Sequence, residues 1–138
     1  MKGIGASFDR VDVTSQFVAA GVACLGYTEA EASDLYSILR STQIGELVYI
    51  KSHPQGRLYI KAVGIVTDNQ VVNHDPLGFG ISVRWIWRDR PMLAVPYLSS
   101  ERANFRSNSI YDETNPRIQA LVTNLLIQGI EADAAQAA

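Results

Sequence analysis

The chain has 138 residues, 47% hydrophobic and 19% charged, a balance that suits one globular domain and excludes a disordered or fibrous chain. Its formal net charge of −2 argues against a general nucleic-acid coat, which needs a surplus of lysine and arginine. A single cysteine, Cys24, excludes an internal disulfide, and no apolar run approaches the ~18 residues of a membrane span.

No basic segment followed by an apolar stretch opens the chain, so the expectation is a cytoplasmic protein with no leader and no membrane partner. Charge is uneven: residues 1–39 carry net −3, residues 40–117 net +3 and the last 21 residues net −2. The middle of the chain is therefore mildly cationic between acidic flanks, a polarity that could attract a phosphate and that a solvated surface explains equally well.

In chain order, the glycine-rich KGIGASF reads as a first strand, without a nucleotide-binding glycine fingerprint. Asp12, Thr14 or Ser15 can cap a short helix through Phe17 and Val18, which Gly21 would stop. Cys24 lies in the apolar run VACL and reads as core. Thr28 with Glu31 makes a capping box for a helix that carries Leu35, Ile38 and Leu39 as far as Arg40. Leu47 to Ser52 and Leu58 to Thr67 read as strands joined by His53-Pro54-Gln55-Gly56, where Pro54 fixes φ and Gly56 permits positive φ. Residues 68–77 read as a polar connection. From Ile81 to Arg88 the pattern alternates, predicting Ile81, Val83, Trp85 and Trp87 on one face and Ser82, Arg84, Ile86 and Arg88 on the other. Met92 to Tyr97, bracketed by Pro91 and Pro96, reads as an edge strand. A polar stretch then leads to a helix with Asn115 as N-cap and Pro116 in its first position, and Ile118, Leu121, Val122, Leu125 and Leu126 form its apolar stripe. Residues 133–138 are expected to fray, leaving 1–132 as a single domain.

These elements predict an α+β fold, a small curled mostly antiparallel sheet flanked by two or three helices. Within it, a helix is followed by Gly45-Glu46-Leu47-Val48-Tyr49, the basic strand end Lys51, and Ala62-Val63-Gly64-Ile65-Val66. This part, roughly residues 26–88, resembles the PUA/EVE superfamily of small β-barrels. The resemblance implies a barrel and a non-enzymatic module for RNA or for modified bases in DNA, gripping a base in an aromatic-lined pocket. The family's tryptophan near the start is absent, with Ile4 or Phe8 in its neighbourhood, and residues 105–126 have no family counterpart.

A bound base needs a stacking surface, edge hydrogen bonds and a cation for phosphate. Trp85, Trp87, Tyr49 and Tyr59 are the candidates for stacking, Lys51, Lys61 and Arg84 for phosphate, and Ser7 and Ser52 for a base edge. Each has a bland counterpart, because barrel strands favour aromatic residues anyway. A second candidate region precedes the last helix: Arg106 and Asn108 could bind phosphate or a base edge, with Tyr111 closing over it. Its bland form has Asp112 and Glu113 complementing the helix dipole and Arg106 pairing with one of them. His53 and His74 lack metal-ligand spacing, and no nucleophile–base pair is suggested, so neither a metal, a cofactor nor catalysis is expected. The expected function is recognition or sequestration of a nucleotide, modified base or nucleotide-derived signal. The alternative is a structural or protein-interaction domain that forms a homo-oligomer.

Overall fold

Strand and helix signals in this chain are placed close together, and most connections are only long enough to turn. The computed structural model describes residues 1–96 and 109–137. In order these form β1 (Lys2–Gly5), β2 (Ser7–Phe8), β3 (Val11–Asp12), α1 (Thr14–Ala20), β4 (Val22–Cys24), α2 (Ser33–Arg40), β5 (Leu47–Ser52), β6 (Tyr59–Asn73), β7 (Phe79–Trp87), β8 (Leu93–Ala94), β9 (Ile110–Asp112) and α3 (Pro116–Ala137). The fold is α+β, with three helices and a mixed seven-stranded sheet among the described residues.

The sheet order is β4-β7-β6-β5-β1-β9, with β8 pairing β6 beside this path. β1 runs parallel to β5, and the other ladders are antiparallel. No ladder among the described residues joins β4 to β9, so the expected closed barrel is not found and the sheet is open. It is nonetheless bent. Register shifts fall between Ile50 and Lys51 and at three places along the β6–β7 ladder, and such bulges increase twist.

The sheet is buried on both faces. Against one pack Phe17 of α1 and Tyr36 and Leu39 of α2, together with Ile4, Ile50, Ile81 and Trp85. Against the other pack Ile118, Val122, Leu125 and Leu126 of α3, with Tyr49, Ile60, Val63, Ile86 and Trp87. The α3 stripe thus lands where its period places it, each fully buried side chain contributing roughly 1.5–3 kcal/mol. Its N-cap also forms as read: Asn115 Oδ1 accepts from Arg117 N at 2.9 Å and from Ile118 N at 3.4 Å. α3 approaches β7 so closely that a Cβ on Gly129 would lie 2.9 Å from Ile86 Cγ2.

Several boundaries differ from the sequence reading. The capping box closes, with Thr28 N donating to Glu31 Oε1 at 3.0 Å and Glu31 N to Thr28 Oγ1 at 3.3 Å, but it finishes a turn and α2 starts at Ser33. β6 runs on to Asn73, so most of the predicted polar connection is strand, and His74 N donates to Gly78 O at 2.8 Å to close the hairpin. Residues 133–137 are helical rather than frayed. The predicted edge strand shortens to Leu93–Ala94, and Tyr97 lies outside the described residues.

The two indoles do not share a face. Val63 pairs with Trp87 and Gly64 with Trp85, so one step on β6 matches two on β7 and Ile86 is the extra residue. That bulge reverses the alternation. Trp85 stays with Ile81 and Val83, while Trp87 turns to the α3 side.

Candidate functional site

β1 and β5 run side by side in the same direction, so both chains leave the sheet at one end. Parallel strands that end together leave their following loops to converge, the usual place for a binding crevice in such sheets. Here Gly5 pairs with Lys51, and Ala6 to Asp9 follows β1 while Ser52, His53 and Pro54 end or follow β5. The third wall is Cys24 to Tyr27, after β4. In the sheet order β7, β6 and β5 stand between β4 and β1, yet both line one cleft. The bent sheet therefore brings its β4 edge round to face the ends of β1 and β5, and the gap left is the cleft, about 480 Å³ in volume.

The β2–β3 hairpin forms its roof. Ser7 pairs with Asp12 and Phe8 with Val11, and the two turn residues Asp9 and Arg10 both have positive φ, 49° and 68°. Such a turn matches the strand twist but is unfavourable for residues with a Cβ. It holds the Phe8 ring over the Gly26 backbone, where a Cβ would lie 2.7 Å from Phe8 Cδ1. Phe8 in turn stacks edge-on against Phe17, ring centroids 5.7 Å apart, which anchors the roof to the core. Tyr27 extends from the opposite lip, 48% exposed.

Lys51 is the chemically distinctive group. Its side chain is 7% exposed, and burial lowers its ammonium pKa to about 8, because a charge removed from water favours the neutral amine. Nζ lies 3.3 Å from His53 Nδ1, and the stem passes Gly5, whose missing Cβ leaves the room: a Cβ there would sit 3.4 Å from Lys51 Cε. Lys61 stands at the mouth and is paired with Asp12, Nζ to Oδ2 2.6 Å. Burial tends to raise the Asp12 carboxyl, but Lys61 and Thr14 outweigh it and hold the pKa below the ordinary value. A shallower groove continues past this pair, lined by Thr14, Ser15, Asp89 and Arg90. Cys24 lines the inner wall, its thiol pushed up to about 12 by burial and so not a thiolate.

Of the sequence-expected site residues, Ser7, Lys51, Ser52 and Lys61 are brought together in the cleft. The others are not. Trp85 is 5% exposed and donates Nε1 to Val22 O at 3.0 Å inside the core, and Trp87 is 4% exposed with the Arg90 guanidinium 5.9 Å from its ring centre. Neither indole can stack a ligand there, which corrects that expectation; among the described residues, Phe8 and Tyr27 are the phenyl and phenol rings that line the cleft. Tyr59, half-buried on β6, is not among the cleft-lining residues either. Arg84 is exposed on β7, away from the cleft. Tyr49 and Tyr111 are buried against each other, hydroxyls 2.7 Å apart, and Tyr49 donates to Glu113 Oε1 at 2.5 Å. Tyr111 is therefore a strand residue of β9 and not a lid. Arg106 and Asn108 lie outside the described residues. Asp112 accepts from Lys2 Nζ at 2.5 Å, and its expected pairing with Arg106 lies outside the described residues.

Phe8, Asp9, Leu25 to Tyr27 and His53 are cleft residues that the sequence reading missed. The adjacency of His53 to Lys51 and Ser52 was the visible signal. Among the described residues no group of three or more His, Cys, Asp and Glu side chains could hold a metal ion, and no helix is long and apolar enough to cross a membrane. In comparisons with known proteins, no family model, no curated protein and no solved structure matches the chain.

Proposed function

We propose that the chain is a binding module for a nucleotide, modified base or nucleotide-derived signal, which it recognises or sequesters in the cleft at the ends of β1 and β5. The observation that carries this reading is the convergence of Ser7, Ser52, Lys51 and Lys61 with the rings of Phe8 and Tyr27 around one opening of about 480 Å³. That volume falls within the ~300–1,000 Å³ of small-molecule sites, and the lining combines a flat apolar surface with donors and cations. A base slid between Phe8 and Tyr27 would present its edge to the serine hydroxyls, with phosphate toward Lys61 at the mouth. The resemblance of residues 26–88 to PUA/EVE domains supports the same ligand class, and the bent sheet supports a relative of that barrel. The interaction-domain reading draws on Ile127 and Ile130, 47% and 48% exposed on the outer side of α3.

The test is calorimetric titration with a panel of mononucleotides and modified-base oligonucleotides. Saturable heats that vanish in Ser52→Ala or Phe8→Ala and persist in Arg84→Ala would support the cleft. Flat heats across the panel would overturn the reading and leave the interaction domain, which light scattering would then show as a stable oligomer.

A further inference from the structure

The chain holds three lysines, and two of them stand in ion pairs away from the inner end of the cleft. Lys2 bonds Glu46 and Asp112, and Lys61 bonds Asp12. Lys51 differs in place and in neighbour. Its amine is buried at the inner end of a cleft open to solvent, beside the glycine that makes room for it, with an imidazole nitrogen 3.3 Å away. His53 is itself exposed, so it connects the buried amine to bulk water.

An amine in such a position is suited to more than holding an anion. From this geometry we propose that Lys51 captures a small aldehyde in the cleft as a reversible imine, with His53 relaying the protons. The neutral amine attacks the carbonyl carbon, forming the C–N bond while the carbonyl π pair moves to oxygen. The proton lost by nitrogen passes through His53 to that oxygen, giving a carbinolamine. The second nitrogen proton then passes through His53 to the hydroxyl, whose C–O bond breaks so that water leaves as the nitrogen lone pair forms C=N. Hydrolysis reverses each step, so no oxidant or reductant is consumed. The cleft favours the sequence because burial lowers the ammonium pKa to about 8, so roughly a tenth of the amine is neutral at pH 7, whereas an exposed lysine is almost wholly ammonium. Ser52 and Ser7 supply hydroxyls for an aldehyde that carries further polar groups, such as an open-chain sugar. This inference stands apart from the nucleotide reading and survives its failure.

The experiment treats the folded protein with propionaldehyde and sodium cyanoborohydride, which reduces imines to stable alkylamines. Peptide mass spectrometry then follows Lys2, Lys51, Lys61 and the N-terminal amine separately. At pH 7 Lys51 is expected to react at least about tenfold faster than Lys2 or Lys61, and this preference should disappear in urea. Among the described residues, the titratable and charged groups facing the cleft beside Lys51 are Asp9, Cys24, Tyr27, His53 and Lys61. With these around it, the Lys51 rate should level off near pH 8 while the Lys61 rate keeps climbing. His53→Ala, at an exposed turn position, should slow Lys51 several-fold and leave Lys61 unchanged. Alkylation of Lys51 no faster than Lys61 in protein with native circular dichroism would overturn the proposal, whatever the variant does.

Discussion

Removing the Tyr49 hydroxyl should cost this fold more than any other single-atom deletion in its core. Tyr49, Tyr111 and Glu113 are 0%, 3% and 9% exposed, and they tie β5 to β9 and to the start of α3. Tyr111 donates to Tyr49 across 2.7 Å and Tyr49 donates to the Glu113 carboxylate across 2.5 Å. Tyr49 is thus both acceptor and donor, and Tyr49→Phe breaks both bonds. A net hydrogen bond to a charged group contributes about 1.5–3 kcal/mol and a neutral one about 1 kcal/mol, so the expected loss is about 3 kcal/mol. Tyr111→Phe removes only the neutral bond and should cost about 1 kcal/mol. Because the Tyr111 hydroxyl is already orphaned once Tyr49 is Phe, the double variant should lose less than the sum of the two. Urea unfolding followed by the fluorescence of the buried indoles measures each value, with unchanged m-values expected. Equal losses for the two single variants, or a Tyr49→Phe loss below about 0.5 kcal/mol, would refute the chain of bonds as drawn.

The remaining predictions concern pH and close packing. Burial, with Glu113 adding, raises the Tyr49 phenol, and burial raises Tyr111 too, so the folded chain keeps protons that the unfolded chain releases above about pH 10. Stability should therefore fall as pH rises beyond that value, and Tyr49→Phe should flatten the fall in denaturation curves taken across it. Lys51 has the opposite sign: its pKa is lowered to about 8, so between there and its unfolded value near 10.4 the folded state binds fewer protons and stability rises with pH. Relative to wild type, Lys51→Met should be most favourable at pH 7 and lose about 3 kcal/mol of that advantage by pH ~10.5; a pH-independent difference would contradict the burial cost. Gly129→Ala adds helix propensity but sets a Cβ 2.9 Å from Ile86 Cγ2 and from backbone atoms of β7, so melting should show a net loss of about 1–3 kcal/mol.

What the sequence made legible follows from which residues answer to local rules. α3 was readable because its stripe and its Asn115-Pro116 start lie within a few residues of one another, and β5 with the beginning of β6 because His53-Pro54-Gln55-Gly56 separates them with turn chemistry. The faces of the two indoles were not, since they depend on a bulge at Ile86 that exists only against β6. β9 was hidden for a like reason: three residues are too few to show a period, and the partner that buries Tyr111 is 62 positions away. The candidate site divides along the same line. Lys51 and Ser52 stood out as polar residues closing an apolar strand, whereas Leu25 to Tyr27 join them only because the sheet bends until β4 faces β1.

That division has a physical cause. Mid-strand side chains in a sheet covered on both faces are committed to packing, which is why Tyr49 and Trp85 are sealed in despite looking suited to a flat ligand. A strand end has no such obligation, and β1 and β5 end together because they are parallel. The loops that follow them can then carry charge and strain, as Asp9 and Arg10 do, and the end of β5 itself an amine kept from water, as Lys51 does. Aromatic content misdirects a search for the site in a sheet of this kind. Polar residues at the shared exit of parallel strands are the better guide, and moving the Lys51 amine to a mid-strand position such as Ala62, fully buried, should cost the fold without restoring fast alkylation.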